Sequence, residues 1–348
     1  MSVLTDVHPE FERHSPLKIA IVRALPGLGD FLCAVPAFRA LRATFPGAYI
    51  TFVGLPFARE LVQRFNPYLD DWIAFPGFPG IPEVPFSPDQ TALFLNQVQS
   101  FKFDLVLQMH GNGSCINPFT LQFGAKFNAG FFPAEQRCPV TNGLFLPYPE
   151  QEPEIWRLLH LLESLNIPLQ GAHLEFPLRT PDWQAWAVLA ETYGLHLSNY
   201  ICIHPGASVG DKRWLPDHFA QVADILAAQG WQIVLTGVES EVKLTRTVMD
   251  AMRFPAINLV GQTRLGTLAA LLKNARLLVC NDTGVSHLAD ALQVNSVVIF
   301  SNSDPRRWAP LDRQKHRVVG DAQAPYPTPA VVLQEALDLL HQEVIYAS

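Results

Sequence analysis

The stretch ARLLVCNDTGVSHLADALQVNSVVIF, residues 275–300, constrains the fold most. Residues 275–280 are a short apolar run, long enough for a buried strand of a parallel sheet. Asn281-Asp282-Thr283-Gly284 then supplies helix-starting chemistry, and residues 285–292 place Leu288, Ala291 and Leu292 on one helical face. Residues 296–300 read as a second buried strand. A strand–loop–helix–strand unit with a polar glycine loop predicts an open α/β sheet. In such sheets ligands bind outside the carboxyl ends of the strands, where a helix start offers free N–H groups to an anion. Locally, a capping role for Asp282 and an interior role for His287 explain these residues equally well.

The same unit recurs along the chain. Residues 17–23 (LKIAIVR) predict the first strand, which runs into Gly27-Leu28-Gly29-Asp30 and a helix carrying Phe38, Leu41 and Phe45. Pro36 demands a kink or a helix start near Val35. Gly27-x-Gly29 invites a dinucleotide reading, but Leu32 stands where a third glycine belongs. The strand at 48–53 also ends without a carboxylate for a ribose. Asp30, just past two glycines at a helix start, suits a general base that accepts a proton from a hydroxyl, or an ordinary cap. Further strands are predicted at 72–75, 103–108 and 127–131. The proline-rich, nearly uncharged loop 76–88 and an irregular segment 133–149 complete the first half, with helices at 57–65, 89–100, 115–125 and 154–165. At the end of the 103–108 strand, Met109-His110-Gly111-Asn112-Gly113-Ser114 is another polar glycine loop. His110 there could orient a substrate hydroxyl or simply pack.

The pattern restarts with a helix at 181–193 and a strand at 200–204. Pro205-Gly206-Ala207-Ser208-Val209-Gly210-Asp211-Lys212-Arg213 follows, with small residues that admit phosphate oxygens and Lys212 as a point charge. Its order is not that of a P-loop. The strand at 232–236 ends in Gly237-Val238-Glu239-Ser240-Glu241, the position for a carboxylate on a ribose diol. A strand at 257–259, the turn Gly261-Gln262-Thr263, the opening stretch, the loop 301–310 and a final helix over 330–345 complete the chain.

A chain of 348 residues has room for two domains. A formal charge of −7 argues against nucleic acid as a partner, because phosphate binding needs a clustered basic face. No run of eighteen apolar residues is present, and residues 1–16 read unlike a signal peptide. The five cysteines (33, 115, 138, 202 and 280) show no CxxC or His/Cys spacing. That pattern predicts a reducing, cytoplasmic setting without structural zinc.

The order of these motifs resembles glycosyltransferase family 9, the heptosyltransferase family. The matching pieces are GLGD with PAFRALRATFP, HPGAS with DKRWLPDHFAQVADIL, VLTGVESE, NLVGQTRLGTLAALLKNARLLVCNDTGVSHLADAL, and SNSDPRRWAP. The resemblance implies a GT-B fold of two Rossmann-like, doubly wound α/β domains facing across a cleft. Residues 1–175 would form the acceptor-side domain and 176–325 the donor domain, with a helix in 326–348 returning to the first domain. It also implies roles. Asp30 is the catalytic base. Lys212 binds the donor diphosphate and Ser208 a neighbouring phosphate. Glu241 binds the ribose, and Thr263 lies near the nucleobase. Gly29, Gly237, Asp282, Thr283, Gly284 and His287 complete the donor site, and His110 and Asn112 face the acceptor. The reaction implied is inverting, metal-free transfer of a heptose or other sugar from a nucleotide-diphosphate donor, ADP-linked by family expectation. The acceptor is a hydroxyl of a glycan or glycolipid. No further cofactor is expected, and a glycolipid would allow peripheral contact with the inner face of the cytoplasmic membrane.

The chain also departs from the family. Leu25-Pro26-Gly27 replaces the usual serines before LGD, His110 stands where many relatives have glutamine, and Ser301-Asn302 replaces a frequent Gly-Pro. Residues 66–88 lack basic side chains and carry Asp70, Asp71 and Glu83. That suggests an acceptor less anionic than a phosphorylated core. Two other readings stay open on the residues alone: a nucleotide-sugar epimerase of the same fold, and a catalytically silent binder of nucleotide sugars or glycans.

Overall fold

The structure, a computed structural model, describes residues 17–139, 142–321 and 326–346. It divides into two compact units, Met1–Ala172 and His173–Ser348.

In the first unit six strands form one parallel sheet: β1 (Lys18–Val22), β2 (Tyr49–Gly54), β3 (Asp71–Ala74), β4 (Leu105–Gln108), β5 (Phe127–Phe132) and β6 (Gly143–Pro147). Their order is β3-β2-β1-β4-β5-β6, the doubly wound arrangement. Four of the five residues of β1 are buried, which is why KIAIV reads as a continuous apolar run instead of an alternating one. Helices α1 (Leu28–Leu32), α2 (Val35–Thr44), α3 (Ala58–Arg64), α4 (Pro88–Phe101), α5 (Asn117–Thr120) and α6 (Glu154–Ser164) connect or flank the strands. Pro36 lies in the first turn of α2, where its missing N–H leaves no bond unmade, so the chain breaks cleanly between α1 and α2. Phe31 from α1 packs against Phe38, Phe52 and Phe65, with ring centroids 5.3–5.5 Å apart, which seats α1 on the sheet.

The second unit repeats the arrangement. Its strands β7 (Tyr200–His204), β8 (Gln232–Leu235), β9 (Ile257–Asn258), β10 (Leu277–Asn281), β11 (Ser296–Ile299) and β12 (His316–Val319) pair in parallel in the order β12-β11-β10-β7-β8-β9. Counted within the unit, this is again the third-second-first-fourth-fifth-sixth order. The helices are α7 (Thr180–Tyr193), α8 (Pro216–Ala228), α9 (Val242–Ala251), α10 (Leu265–Asn274), α11 (Gly284–Ala291), α12 (Pro305–Trp308) and α13 (Pro329–Tyr346). No described helix is long and apolar enough to cross a membrane.

The observed elements add to or differ from the expected ones at four places. The segment 133–149 is not wholly irregular, because Gly143–Pro147 pairs with β5 as an edge strand. His316–Val319 is a further edge strand, beside β11. The helix expected at 115–125 contracts to α5 and a 3-10 turn, Leu121–Phe123. Finally, α13 places its apolar face within the second unit. Val332, Ala336, Leu339 and Leu340 pack among Phe219, Val222, Val297 and Ile299 in the core of the second unit.

In both units the strand order reverses between two neighbours, β1/β4 and β7/β10, so the loops leaving those strands flank a crevice. The candidate chemistry gathers there.

Candidate active site

The chain leaves β1 through Arg23 and enters α1 at Leu28, which puts Asp30 in the first turn of that helix. One face of the Asp30 carboxylate lies against Gly27: a Cβ added there would stand 2.3 Å from Oδ2, so only glycine allows this pose. On the other side Arg23 Nη2 is 3.5 Å from Oδ1, and Arg23 Nε donates to the Asp30 carbonyl at 2.8 Å. The Asp30 side chain remains 21% exposed while that of Arg23 is 1% exposed, so solvent meets the carboxylate and not the cation.

Arg23 is held from below. Its Nη2 donates to Glu154 Oε1 at 2.9 Å and its Nη1 to the Met109 carbonyl. Glu154 Oε2 in turn accepts from Arg157 at 3.3 Å, and Arg157 also donates to the Tyr148 hydroxyl and the Glu150 carbonyl. Burial alone would lower the Arg23 pKa, but the charges of Glu154 and then Asp30 outweigh it and hold the guanidinium above its usual range. An apolar niche lined by Leu25, Phe31, Phe52, Phe57 and Ala58 adjoins this pair.

His110, at the end of β4, reaches the same crossover. Its Nδ1 accepts from the Ala24 N–H at 3.1 Å, so in the neutral ring the proton sits on Nε2. Burial, with Arg23 adding to it, pushes His110 down to about 4, which leaves it neutral near pH 7. One of its nitrogens is therefore committed to joining the β1 and β4 loops. Asn112 has a local task too: its Oδ1 accepts from the Ser114 N–H at 3.1 Å and closes the turn. Asp70 and Asp71 lie at the amino end of β3, opposite the carboxyl ends that bear the site. Asp70 accepts from the Ile50 N–H at 2.7 Å and pairs with Arg42. Asp70 is thus tied to β2 and α2, and both carboxylates stand away from the strand ends that bear the candidate site.

In the second unit, Lys212 ends the 3-10 turn Gly210–Lys212 and its Nζ lies 3.0 Å from Asp282 Oδ2. The loop carrying Lys212 is fastened to the end of β10 by Asn281. The Asn281 Oδ1 accepts from the Trp214 N–H at 2.9 Å, and its Nδ2 donates to the Pro205 carbonyl at 2.8 Å. Arg213 closes the loop on itself by donating twice to the Ala207 carbonyl, at 2.9 and 2.7 Å. Ser208 stands exposed on this loop.

Glu241 is buried at the end of β8, just beyond Gly237. Its Oε2 accepts from the Val238 N–H at 2.9 Å and lies 3.9 Å from His204 Nε2. A Cβ on Gly206 would fall 2.1 Å from Oε1, so the Glu241 carboxylate fills the place a side chain there would take. Burial, opposed by Glu241, lowers the pKa of His204. Thr283 adopts an extended conformation before α11 and its side chain makes no capping bond, so the first N–H groups of α11 receive none from Thr283. His287 is buried one turn inside α11, its ring edge-on to Trp308 at 6.2 Å. Thr263 lies further along the sheet, half-buried in the turn between β9 and α10.

The structure thus joins Lys212 with Asp282, Glu241 with Gly206, and Asp30 with the crossover that holds His110. Arg23, Glu154 and Asn281 were not singled out in the sequence as members of these groups. An arginine closing an apolar strand, and Glu154 with Arg157 on an otherwise apolar helix face, were the available signals.

The sequence model for glycosyltransferase family 9 (heptosyltransferase) matches residues 94–334. Lipopolysaccharide heptosyltransferase 2 of Escherichia coli K12 is 26% identical over 353 residues, covering 91% of this chain and 97% of that one. Among solved structures, a family 9 glycosyl transferase from Veillonella parvula DSM 2008 superposes with a TM-score of 0.79 at 21% identity, over 95% of this chain and 99% of that one. The ADP-heptose lipopolysaccharide heptosyltransferase II of E. coli gives 0.74 at 22% identity, over 94% and 99%. The two structures share the GT-B fold with this chain.

Proposed function

Because the chain belongs to glycosyltransferase family 9, the heptosyltransferase family, we propose that it transfers a heptose from an ADP-linked donor to a hydroxyl of a lipopolysaccharide-type glycan. Transfer proceeds with inversion at the anomeric carbon. The names of its relatives, which specify ADP-heptose and lipopolysaccharide, support this choice of donor and acceptor.

The observation that carries the reading is the Asp30 carboxylate, seated between Gly27 and Arg23 at the crossover of the first sheet and still open to solvent. Asp30 takes the proton of the acceptor hydroxyl as its oxygen attacks the anomeric carbon. The C–O bond to the diphosphate breaks through an oxocarbenium-like state. Negative charge then builds on the departing diphosphate, where Lys212 and the uncapped start of α11 counter it without a metal. Ser208 and Thr283 add hydroxyls along the phosphates, and Glu241 offers a carboxylate oxygen to the ribose. A glycolipid acceptor would bring the enzyme to the inner face of the cytoplasmic membrane.

A thermal-shift titration with ADP-, UDP-, GDP- and CMP-linked sugars tests the donor assignment, since a ligand that binds only the folded state raises apparent stability by mass action. ADP-linked sugars should raise the melting temperature most at equal concentration. An equal or greater rise with another nucleotide would remove ADP from the account.

A further inference from the structure

We propose that Arg23 is a positioning residue that fixes the Asp30 carboxylate, and that Glu154, by drawing on the same guanidinium, sets how strongly Arg23 acts. This rests on Asp30 being the base.

The guanidinium carries five N–H donors in one rigid plane, and four contacts use them. Nε holds the Asp30 main chain, Nη1 the end of β4, and Nη2 both the Glu154 and the Asp30 carboxylates. One buried side chain therefore ties β1, α1, the β4 loop and α6 together at the reacting group. The two carboxylate distances are unequal, 2.9 Å to Glu154 and 3.5 Å to Asp30. The stronger contact goes to the residue that never meets substrate, and the weaker to the one that does.

This asymmetry has a chemical use. A guanidinium bonded tightly to Asp30 would hold it ionised but make it a poor proton acceptor. A distant cation would let the carboxylate protonate early and swing away. Glu154 divides the positive charge and keeps Arg23 between these limits. The groups facing the pair are few. Arg157 and Glu154 come from α6, Tyr148 from the segment after β6, His110 from the β4 loop, and Cys33 lies just beyond α1. His110 stays neutral in the working range, which leaves Arg23, paired with both Asp30 and Glu154, as the cation this proposal turns on. The arginine and glutamate are 131 positions apart, and only folding of the first unit brings them together.

The test is the pH dependence of kcat/KM, whose acid limb reports the base of the free enzyme. Arg23→Gln should move that limb to higher pH and lower kcat at least tenfold, with ADP affinity unchanged. Glu154→Gln should move it to lower pH, because the whole guanidinium then serves Asp30. The double variant Arg23→Gln/Glu154→Gln puts a neutral amide pair beside Asp30, with Arg157 still bonded to the Tyr148 hydroxyl and the Glu150 carbonyl. It should shift in the same direction as Arg23→Gln, and it takes the place of Arg23→Gln in the comparison with Glu154→Gln if Arg23→Gln does not fold. Arg23→Lys keeps the charge but loses the fork, so its limb should stay near the parent's while kcat falls. A merely structural role would lower activity without opposite shifts. Acid limbs that coincide in all variants, or that move the same way in both single variants, would overturn the proposal. Asp30→Asn separates the two ideas: an inactive Asp30→Asn with unshifted limbs removes only the role of Arg23 and Glu154, whereas an active one removes the base itself.

Discussion

Lys212 Nζ sits 3.0 Å from Oδ2 of Asp282, a lysine 26% exposed paired with a carboxylate 4% exposed. The pair links the loop after β7 to the end of β10 across the crossover of the second sheet. A diphosphate entering here gains a cation already held in place, and Asp282 does not stand as an isolated negative charge against it. Lys212→Ala should therefore raise the Kd for ADP by about 10- to 100-fold, the equivalent of one hydrogen bond to a charged group. Calorimetric titration of ADP checks this. An unchanged Kd would take Lys212 out of the donor site.

Gly206 tests the ribose assignment without touching the carboxylate. A methyl group there would meet Glu241 Oε1 at 2.1 Å and force the side chain away. Gly206→Ala should weaken ADP binding about as much as Glu241→Ala, and the double variant should be no weaker than either, because both remove one interaction. Additive losses in Kd would show that Gly206 and Glu241 act separately.

How much of this could be read from the residues depended on the range of the signal. Runs such as KIAIV and LLVCN announce strands buried on both faces, and the glycine loops after them mark strand ends, so the doubly wound sheets and the loops of Asp30, Lys212 and Asp282 were legible. Edge strands were not. Gly143–Pro147 contains glycine and proline, and His316–Val319 begins with two basic side chains, so neither looks buried until it lies beside its partner. Partnership at long range was equally hidden. An apolar stripe on α13 reveals that the helix packs, but only shape selects the second unit's core. Asp70 and Asp71 carry a charge that suggested an acceptor, and register alone shows that they lie at the wrong end of β3.

A buried pair in the second unit gives a pH prediction. His316 Nε2 lies 3.5 Å from Asp290 Oδ1, and Ser296 Oγ is 2.8 Å from the other ring nitrogen. Burial and then Asp312, against Lys315, push Asp290 up to about 7, while burial pushes His316 down to about 4. In the unfolded chain the order is reversed, with histidine near about 6.5 and aspartate near about 3.9. Between those values each state holds one proton, on Asp290 when folded and on His316 when unfolded, so the pair gives stability little pH slope. His316→Asn removes the balance. Asp290 then has a folded pKa above its unfolded one, so the folded state binds more protons and stability falls as pH rises from about 4 to 7. Urea unfolding of His316→Asn should show about 2 kcal/mol less stability at pH 7 than at pH 5, beyond any difference in the parent. Parallel pH profiles for the two proteins would contradict the assignment.

The central claim is that Asp30 removes the proton of the acceptor hydroxyl, and Asp30→Asn tests it most directly. The substitution keeps the shape of the side chain and its seat against Gly27. Transfer from ADP-heptose to a lipopolysaccharide-type acceptor should be measured at saturating donor, alongside the Kd for ADP. The account predicts a fall in kcat of about 100- to 10,000-fold, the span of general base catalysis, with the Kd for ADP within about twofold of the parent. Turnover within about tenfold of the parent would contradict it.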